Sequence, residues 1–521
     1  MRVPWKCLVA GTVLTLIGFE PPTLHSQAAQ RNHAPASNSQ ASPVVGKAPR
    51  YVNPLSIETT SKDGSPQGVS LGDPTVVHDG KHYYMFATGG GPWISDDMVH
   101  WTYAPIDPRG APVPVAPDVV KYNGSYYMAG NGTRLYRSPN ILGPYQEIGP
   151  WLDEQGNPST KVHVFDIDIF IDTDNKPYLY MSRGATAGIW VAPLDPKNLT
   201  RLLAPPKTLF AFNSTHVWER FGDANEQTDY SWIEGPWVFK RNGTYYLEYS
   251  ASGTEWQTYA TGVYTAKSPL GPFTYAPENP LLRKTTGIVT GPGHGSAIQG
   301  PNGDWWQFYL NVLPTPPGGR RIGMDPIGFD AKGTIFVRGG VPTETPQWAP
   351  GVVADPARNG SSGSIPLTIG KTQHMIVSSQ RPGRDAAYAL DNSNGTWWEP
   401  AESDAQPSIT VNLIETAPSD RPYTVDASRI LFRAEERTHS GFSGSPAFQY
   451  KIEASSDGKT FTTLLDKTHN TIPSYTEFDE LPPTRCRFIR LTMTDWPRSI
   501  DQPLAISEFT IFGKYIAATN P

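Results

Sequence analysis

The chain is poor in cysteine, with two in 521 residues, and it holds no long run of one charge, its 43 Lys plus Arg standing against 49 Asp plus Glu. The first scarcity excludes a disulfide scaffold and a cysteine-ligated metal site. The second, at a formal net charge of -6, disfavours nucleic acid as a partner. Helical periodicity is nearly missing, and no apolar stretch reaches the roughly 18 residues that cross a membrane as a helix. What the chain has instead is 48 Gly, 52 Pro and 11% aromatics. That is the composition of short strands joined by tight turns, and it predicts an all-β protein.

The N-terminal stretch MRVPWKCLVAGTVLTLIGFEPPTLHSQAAQ begins basic, is apolar from Cys7 to Phe19 and reaches small residues near Ala28. It reads as a secretory signal over residues 1–28, which predicts a secreted or periplasmic protein. Cys7 leaves with it, so the mature chain would hold only Cys486 and no internal disulfide. Residues 29–50, rich in Ala, Ser, Pro, Gln and Asn without an apolar period, read as a disordered leader.

Five later segments share one grammar of polar residue, strand, tight turn and aromatic strand. They are DPTVVHDGKHYYMFAT from Asp73, DVVKYNGSYYMAG from Asp118, DIDIFIDTDNKPYLYMS from Asp166, EGPWVFKRNGTYYLEYS from Glu234 and HGSAIQGPNGDWWQFYL from His294. Their turns carry Asp79-Gly80, Asn123-Gly124, Asp174-Asn175, Asn242-Gly243 and Asn302-Gly303, the pairs that suit two-residue hairpins because both central positions need positive φ. The spacing predicts one four-stranded blade per segment, hence a five-bladed β-propeller over residues 51–345. The first strand of each blade lines the channel, so Asp73, Asp118, Asp166, Glu234 and His294 are expected to form one ring. Several carboxylates in one pocket repel, which keeps one acid protonated near neutral pH. Two carboxyls, one acid and one base, are what glycosidic hydrolysis requires.

These hairpins resemble those of glycoside hydrolase family 43, five-bladed propellers mostly active on arabinan and xylan. The resemblance implies Asp73 as general base in its Asp-Pro step, Glu234 as general acid in its Glu-Gly-Pro step, and inversion of anomeric configuration. It implies a third carboxylate that tunes the acid. Spacing to Asp172 favours Asp166, although Asp168 shares its strand face, and the chain has Asp166-Ile167 where the family usually shows Asp-Pro. His294 in GPGHGSAIQ matches a residue near the channel axis, often beside a cation such as calcium. Arg320 or Arg321 in GGRRIGMDPIGF matches the arginine sent toward substrate. Asp118 matches an Ala-Pro-Asp step and is counted among substrate contacts. Trp93, Trp232 and Trp237 offer candidate sugar-stacking faces, Trp93 foremost. No cofactor is needed for the chemistry.

A Gly- and Ser-rich joint, ADPARNGSSGSIP, lies in a linker over 346–369. Beyond it AAYALDNSNGTWWEP, FQYKIEASSDGKTFTTLL and CRFIRLTMTDWPRSIDQPLAISEFTIFG resemble a discoidin-like (coagulation factor type C) β-sandwich, residues 370–515. Such sandwiches often bind sugars, and Asp391 and Asn392 would be candidates for a structural cation. The expected function is inverting hydrolysis of arabinofuranosyl, xylosyl or galactosyl linkages in plant-type poly- or oligosaccharide, by a monomer without a membrane span. The retaining fructosidases, also five-bladed, are disfavoured by Gly72-Asp73-Pro74-Thr75 and by the lack of an Arg-Asp-Pro step. A non-catalytic sugar-binding or adhesion protein of the same architecture is the alternative. The insertion between Leu199 and Ser231 is long enough to wall the pocket and favour exo action.

Overall fold

The computed structural model describes residues 48–58, 70–159, 162, 165–314, 319–414, 423–433, 443–498 and 503–515. The signal and nearly all of the leader lie outside the described residues. Five antiparallel sheets follow one another along the chain, and their first strands are Gly72–His78, Asp118–Tyr122, Ile167–Ile171, Glu234–Arg241 and Gly293–Gln299. Each pairs with the next strand in sequence, and the aromatic stretches expected to be second strands fill that place: Tyr83–Thr88, Ser125–Ala129, Pro177–Ser182, Thr244–Ala251 and Trp305–Val312. Three of the connecting turns differ from the expected two-residue form. Only Asn123-Gly124 and Asn242-Gly243 place two left-handed residues between the paired strands. The other three use longer loops. In the first blade Asp79 Oδ1 accepts from the amides of Lys81 and His82 at 2.7 and 2.8 Å, an Asx turn that needs no positive φ at Asp79.

The blades share a backbone frame. At the start of each first strand one residue is left-handed: Asp73 (φ 52°), Ala116 (46°), Asp166 (43°), Gly235 (59°) and His294 (35°). Two residues further on, a side chain reaches to the following blade. Thr75 Oγ1 donates to the Pro117 carbonyl at 2.6 Å. Asp118 Oδ2 accepts from Ile169 N at 2.9 Å and Asp168 Oδ2 from Val238 N at 2.8 Å. Trp237 Nε1 donates to the Ala297 carbonyl at 3.1 Å, and Ser296 Oγ accepts from Val76 N at 3.0 Å. The last link runs from the fifth blade back to the first, so the five hydrogen bonds close a cycle. Among the described residues no strand is shared between first and fifth blades, and the cycle supplies the closure together with the bond from Leu71 N to the Arg320 carbonyl at 3.1 Å, each link contributing about 0.5–1.5 kcal/mol.

The C-terminal sandwich packs a sheet ordered Ile365–Pro366, Ile506–Tyr515, Tyr423–Phe432, Thr476–Cys486 with one ordered Met375–Val377, Ser408–Asn412, Phe488–Arg498, Ser443–Ser455, Thr462–Asp466. Ile365–Pro366, expected in the linker, is an edge strand of this domain. Arg50, expected at the end of the leader, is buried: Nη1 donates to Ser364 Oγ at 3.0 Å and Asp426 Oδ1 at 3.3 Å, and Nε to Glu480 Oε1 at 2.7 Å. Arg429, also buried, donates Nη1 to the Asn53 carbonyl at 2.8 Å. Propeller and sandwich are thus clamped by two buried arginines, Arg50 through carboxylates and Arg429 through carbonyl and hydroxyl oxygens. Cys486 is a buried free thiol.

Candidate active site

The left-handed positions do not coincide with the ring expected from sequence. Asp73, Asp166 and His294 hold them, but Ala116 and Gly235 take the places expected for Asp118 and Glu234. Asp118 is two residues on, a buried latch whose carboxylate faces Ile169 rather than the mouth. Glu234 is one residue before, at the point where the register slips between Glu234 and Trp237. Similar slips flank Asp73 and His294, and such bulges re-aim side chains. Left-handed backbone is costly for a residue with a Cβ, and at the fourth position a Cβ would also collide. Added to Gly235, it would meet the His294 ring at 2.8 Å.

Around this frame the carboxylates converge. Asp73 accepts from Arg320 Nη1 at 3.1 and 3.2 Å and from Thr88 Oγ1 at 2.5 Å, and His294 Nδ1 stands 3.2 Å from its Oδ1. The same imidazole nitrogen is 3.7 Å from Asp166 Oδ2. Asp166 accepts from Asn131 Nδ2 at 3.0 Å and from Gly235 N at 3.3 Å, while its own amide donates to Asn131 Oδ1 at 2.6 Å. Glu234 Oε1 accepts from the Tyr259 hydroxyl at 2.7 Å. His294 is held through its amide, which donates to Ser250 Oγ at 2.6 Å. All three carboxylates are buried.

The environments push the carboxyls apart. Burial and then the nearby Asp166 carboxylate hold Glu234 well above the usual range, with Asp73 and Glu255 adding, and the Tyr259 hydrogen bond offsets only part. Burial raises Asp73 too, but His294, Arg320 and the Thr88 hydroxyl outweigh it and leave its pKa lowered. Asp166 is raised by burial and by Asp73, against the pull of His294, Asn131 and the Gly235 amide. Both Asp166 oxygens face donors, whereas Tyr259 donates to one oxygen of Glu234, so ionisation is better supported at Asp166 than at Glu234. Asp168, the other candidate for the tuning role, is a latch. Its pKa is pushed well above the usual range by burial and by Asp118, itself raised by burial to about 7.

Of the two arginines, Arg320 faces Asp73 and Arg321 turns to the opposite side, its guanidinium 5.9 Å from the Tyr475 ring of the sandwich. Trp93 is no sugar platform. It is 2% exposed, donates Nε1 to the Glu58 carbonyl at 2.6 Å and packs edge-on against Tyr103. Trp237 is a latch, but Trp232 belongs to an aromatic wall beside Glu234, 5.8 Å from Phe165 and 6.2 Å from Tyr230. Tyr230 packs on Phe221, which packs on Trp256 at 5.7 Å. Phe221 and Tyr230 come from the insertion before Ser231. It is anchored by buried Glu219, which accepts from Tyr249 OH at 2.6 Å and faces His216 Nδ1 at 2.7 Å.

His294 offers nitrogen where calcium takes six to eight oxygens, and among the described residues no three His, Cys, Asp or Glu side chains converge as a cation site. Asp391 accepts from Ser393 N at 3.0 Å and Thr396 Oγ1 at 2.7 Å, and Asn392 N donates to Glu508 at 2.9 Å, so that loop is closed by its own hydrogen bonds. Sequence reasoning missed Tyr259, Asn131 and Thr88: Thr88 ends the first repeated hairpin and Asn131 directly follows the second, but the repeat assigns no role to the residue at that end, and Tyr259 lies outside the repeats.

The sequence model described as Glycosyl hydrolases family 43 matches residues 68–335, just over half of the chain, and that described as F5/8 type C domain matches 374–506. The chain is 28% identical over 218 residues to the beta-D-galactofuranosidase xynD of Aspergillus niger, covering 40% of this chain and 57% of that one. It is 25% identical over 271 residues to a xylosidase/arabinosidase of Butyrivibrio fibrisolvens, covering 46% and 49%. The chain spans about half the length of the curated relatives it matches. Among solved structures, a thermostable family-43 glycoside hydrolase is 27% identical, covers 58% of this chain and 99% of its own, and superposes with a TM-score of 0.46. With its five blades and the match over 68–335, the chain belongs to glycosyl hydrolases family 43 and carries an F5/8 type C domain after the propeller.

Proposed function

We propose that the chain is a glycosidase that inverts anomeric configuration, with Glu234 as general acid and Asp73 as general base. The observation that carries this reading is the opposite displacement of two carboxyl groups in one buried cluster, Glu234 upward and Asp73 downward. Glu234 gives its proton to the glycosidic oxygen as the bond to the anomeric carbon breaks. A water attacks that carbon from the other face and passes a proton to Asp73, ionised beside Arg320 and His294. Asp166 does not exchange protons with substrate. Its charge keeps Glu234 protonated, and its bond to Gly235 N fixes the peptide that follows the acid.

The sugar is an arabinofuranosyl, xylosyl or galactosyl unit, in keeping with relatives named galactofuranosidase and xylosidase/arabinosidase. The Phe165–Trp232–Tyr230–Phe221 wall beside the acid supports cleavage at chain ends. The basic-then-apolar N-terminus supports export to a secreted or periplasmic location, and the protein acts as a monomer. The test is hydrolysis of aryl arabinofuranosides, xylosides and galactosides, with the first-formed sugar read by proton NMR. One substrate should be cleaved with inversion, and Glu234→Gln should lower kcat at least about a hundredfold. No hydrolysis of any substrate, or an unaffected variant, would favour the non-catalytic binding protein. Retention of configuration would refute Asp73 as a base.

A further inference from the structure

Three site residues lie on segments that leave one buried knot. Thr290 leads through Gly291, Pro292 and Gly293 to His294. Gln257 precedes Tyr259 by two residues. Val312 pairs across its hairpin with Arg320. Within the knot Thr290 Oγ1 donates to the Val312 carbonyl at 2.7 Å, Val312 N to the Thr290 carbonyl at 2.7 Å, and Gln257 Nε2 to Thr290 Oγ1 at 3.1 Å. All three segments therefore share one anchor.

The remaining partner of that anchor comes from the sandwich. Asn394, 4% exposed, directs its side-chain amide to the Ile288 carbonyl at 3.1 Å, Thr290 Oγ1 at 3.1 Å and the Val312 carbonyl at 3.4 Å, and its backbone amide donates to the Gly287 carbonyl at 3.2 Å. The loop that presents it is preformed. Asp391 ties back to Ser393 and Thr396, Gly395 N donates to Ser393 Oγ at 3.1 Å, and Asn392 N is held by buried Glu508. On the far side, Glu344 accepts from the amides of Ile288 and Val289 at 2.9 and 2.6 Å. The segment ending at Thr290 is gripped from both sides, once by each domain.

We infer that Asn394 is a positioning residue for the active site: as a buried donor from the F5/8 type C domain, it fixes the knot from which Tyr259, His294 and Arg320 reach Glu234 and Asp73. The sandwich is then part of the catalytic apparatus. This inference rests on the glycosidase reading for its kinetic consequence, though not for its structural one. Three acceptors converge on the Asn394 amide, so its donor capacity, not its volume, is what the site uses.

The test compares the full chain with Asn394→Ala, the isosteric Asn394→Asp, and Ser364→Ala, which weakens the separate Arg50–Asp426 clamp. Well below every Tm, Asn394→Ala should lower kcat about tenfold to a hundredfold, as a misplacement of about 1 Å does, with KM changed less than about threefold. Asn394→Asp should be worse still, since it sets a carboxylate against acceptors. Ser364→Ala should keep wild-type kcat. Equal effects of Asn394→Ala and Ser364→Ala, or an Asp variant like wild type, would overturn the inference. Hydrogen exchange separates this from the activity reading. In Asn394→Ala the amides of Gly293–Gly295 and Arg320–Arg321 should exchange faster while those of Ile489–Met493 do not. Unchanged exchange at the first set refutes the inference even in an active enzyme, whereas faster exchange in a protein that hydrolyses nothing retires the glycosidase reading alone.

Discussion

Replacing Arg320 by Met should move the acidic limb of the pH profile of kcat/KM. Arg320 Nη1 lies 3.1 and 3.2 Å from the two oxygens of buried Asp73. With charge centres about 4 Å apart and an effective dielectric near 20, the attraction is about 4 kcal/mol before solvent is counted. The guanidinium side chain is 26% exposed, and His294 and Thr88 remain on the carboxylate in the variant. The net loss is therefore put at about 1–2 kcal/mol, or roughly one pKa unit. Asp73 must be ionised to accept a proton, and its folded pKa is lowered, so losing the cation raises that pKa and moves the acidic limb to higher pH. At pH 5 the extra loss in kcat/KM should be under about twofold, growing toward about tenfold only as the pH falls well below both pKa values. The same ion pair stabilises the fold above the unfolded Asp pKa of about 3.9 and is lost as pH falls through the lower folded value. The Tm deficit of Arg320→Met should accordingly shrink in acid. Initial rates from pH 4 to 9 and calorimetry at both ends measure this, and an acidic limb that stays put or moves down refutes the charge argument.

Tyr259→Phe removes the donor that favours ionised Glu234, so the basic limb should move to higher pH while kcat drops about tenfold, read from the same profiles. Asp166→Asn should move the basic limb down and lower kcat at least about a hundredfold, because Glu234 loses the charge that keeps it protonated. Asp168→Asn keeps an oxygen for Val238 N and should retain kcat within a few-fold. A reversed order in this pair would return the tuning role to Asp168.

The blade number was legible because each blade repeats a strand, a turn and an aromatic strand within a short span. The ring was legible only in part. Asp118 follows Ala-Pro much as Asp73 precedes Pro74, but equivalence is set by which residue turns left-handed, and at the second blade that is Ala116. Spelling cannot show a bulge, which is why Glu234 looked like a ring member when it stands one residue ahead of Gly235. Arg320 and Arg321 are adjacent in one strand, so one faces the channel and the other the sandwich, and alternation alone does not say which. Trp93 was misread because a tryptophan packed in a blade and one stacking on sugar are the same letter. Asn394 was out of reach entirely, since its partners lie roughly a hundred residues away.

The cycle of links that closes the propeller is chemically heterogeneous. A hydroxyl donates to a carbonyl at one junction, carboxylates accept amides at two, an indole donates at the fourth and a serine accepts at the fifth. The junctions therefore fall into two polarities, side chains that donate to a carbonyl and side chains that accept from an amide. Exchanging the third and fourth blades, for example, would bring the Asp168 carboxylate to the Ala297 carbonyl and the Trp237 indole to the Ile169 amide. The order of the five modules around the axis is thus written into side chains as well as into the chain's connectivity. The acid on the fourth module and the base on the first, which face a common pocket only in that order, cannot drift apart by rearrangement without the ring failing to shut.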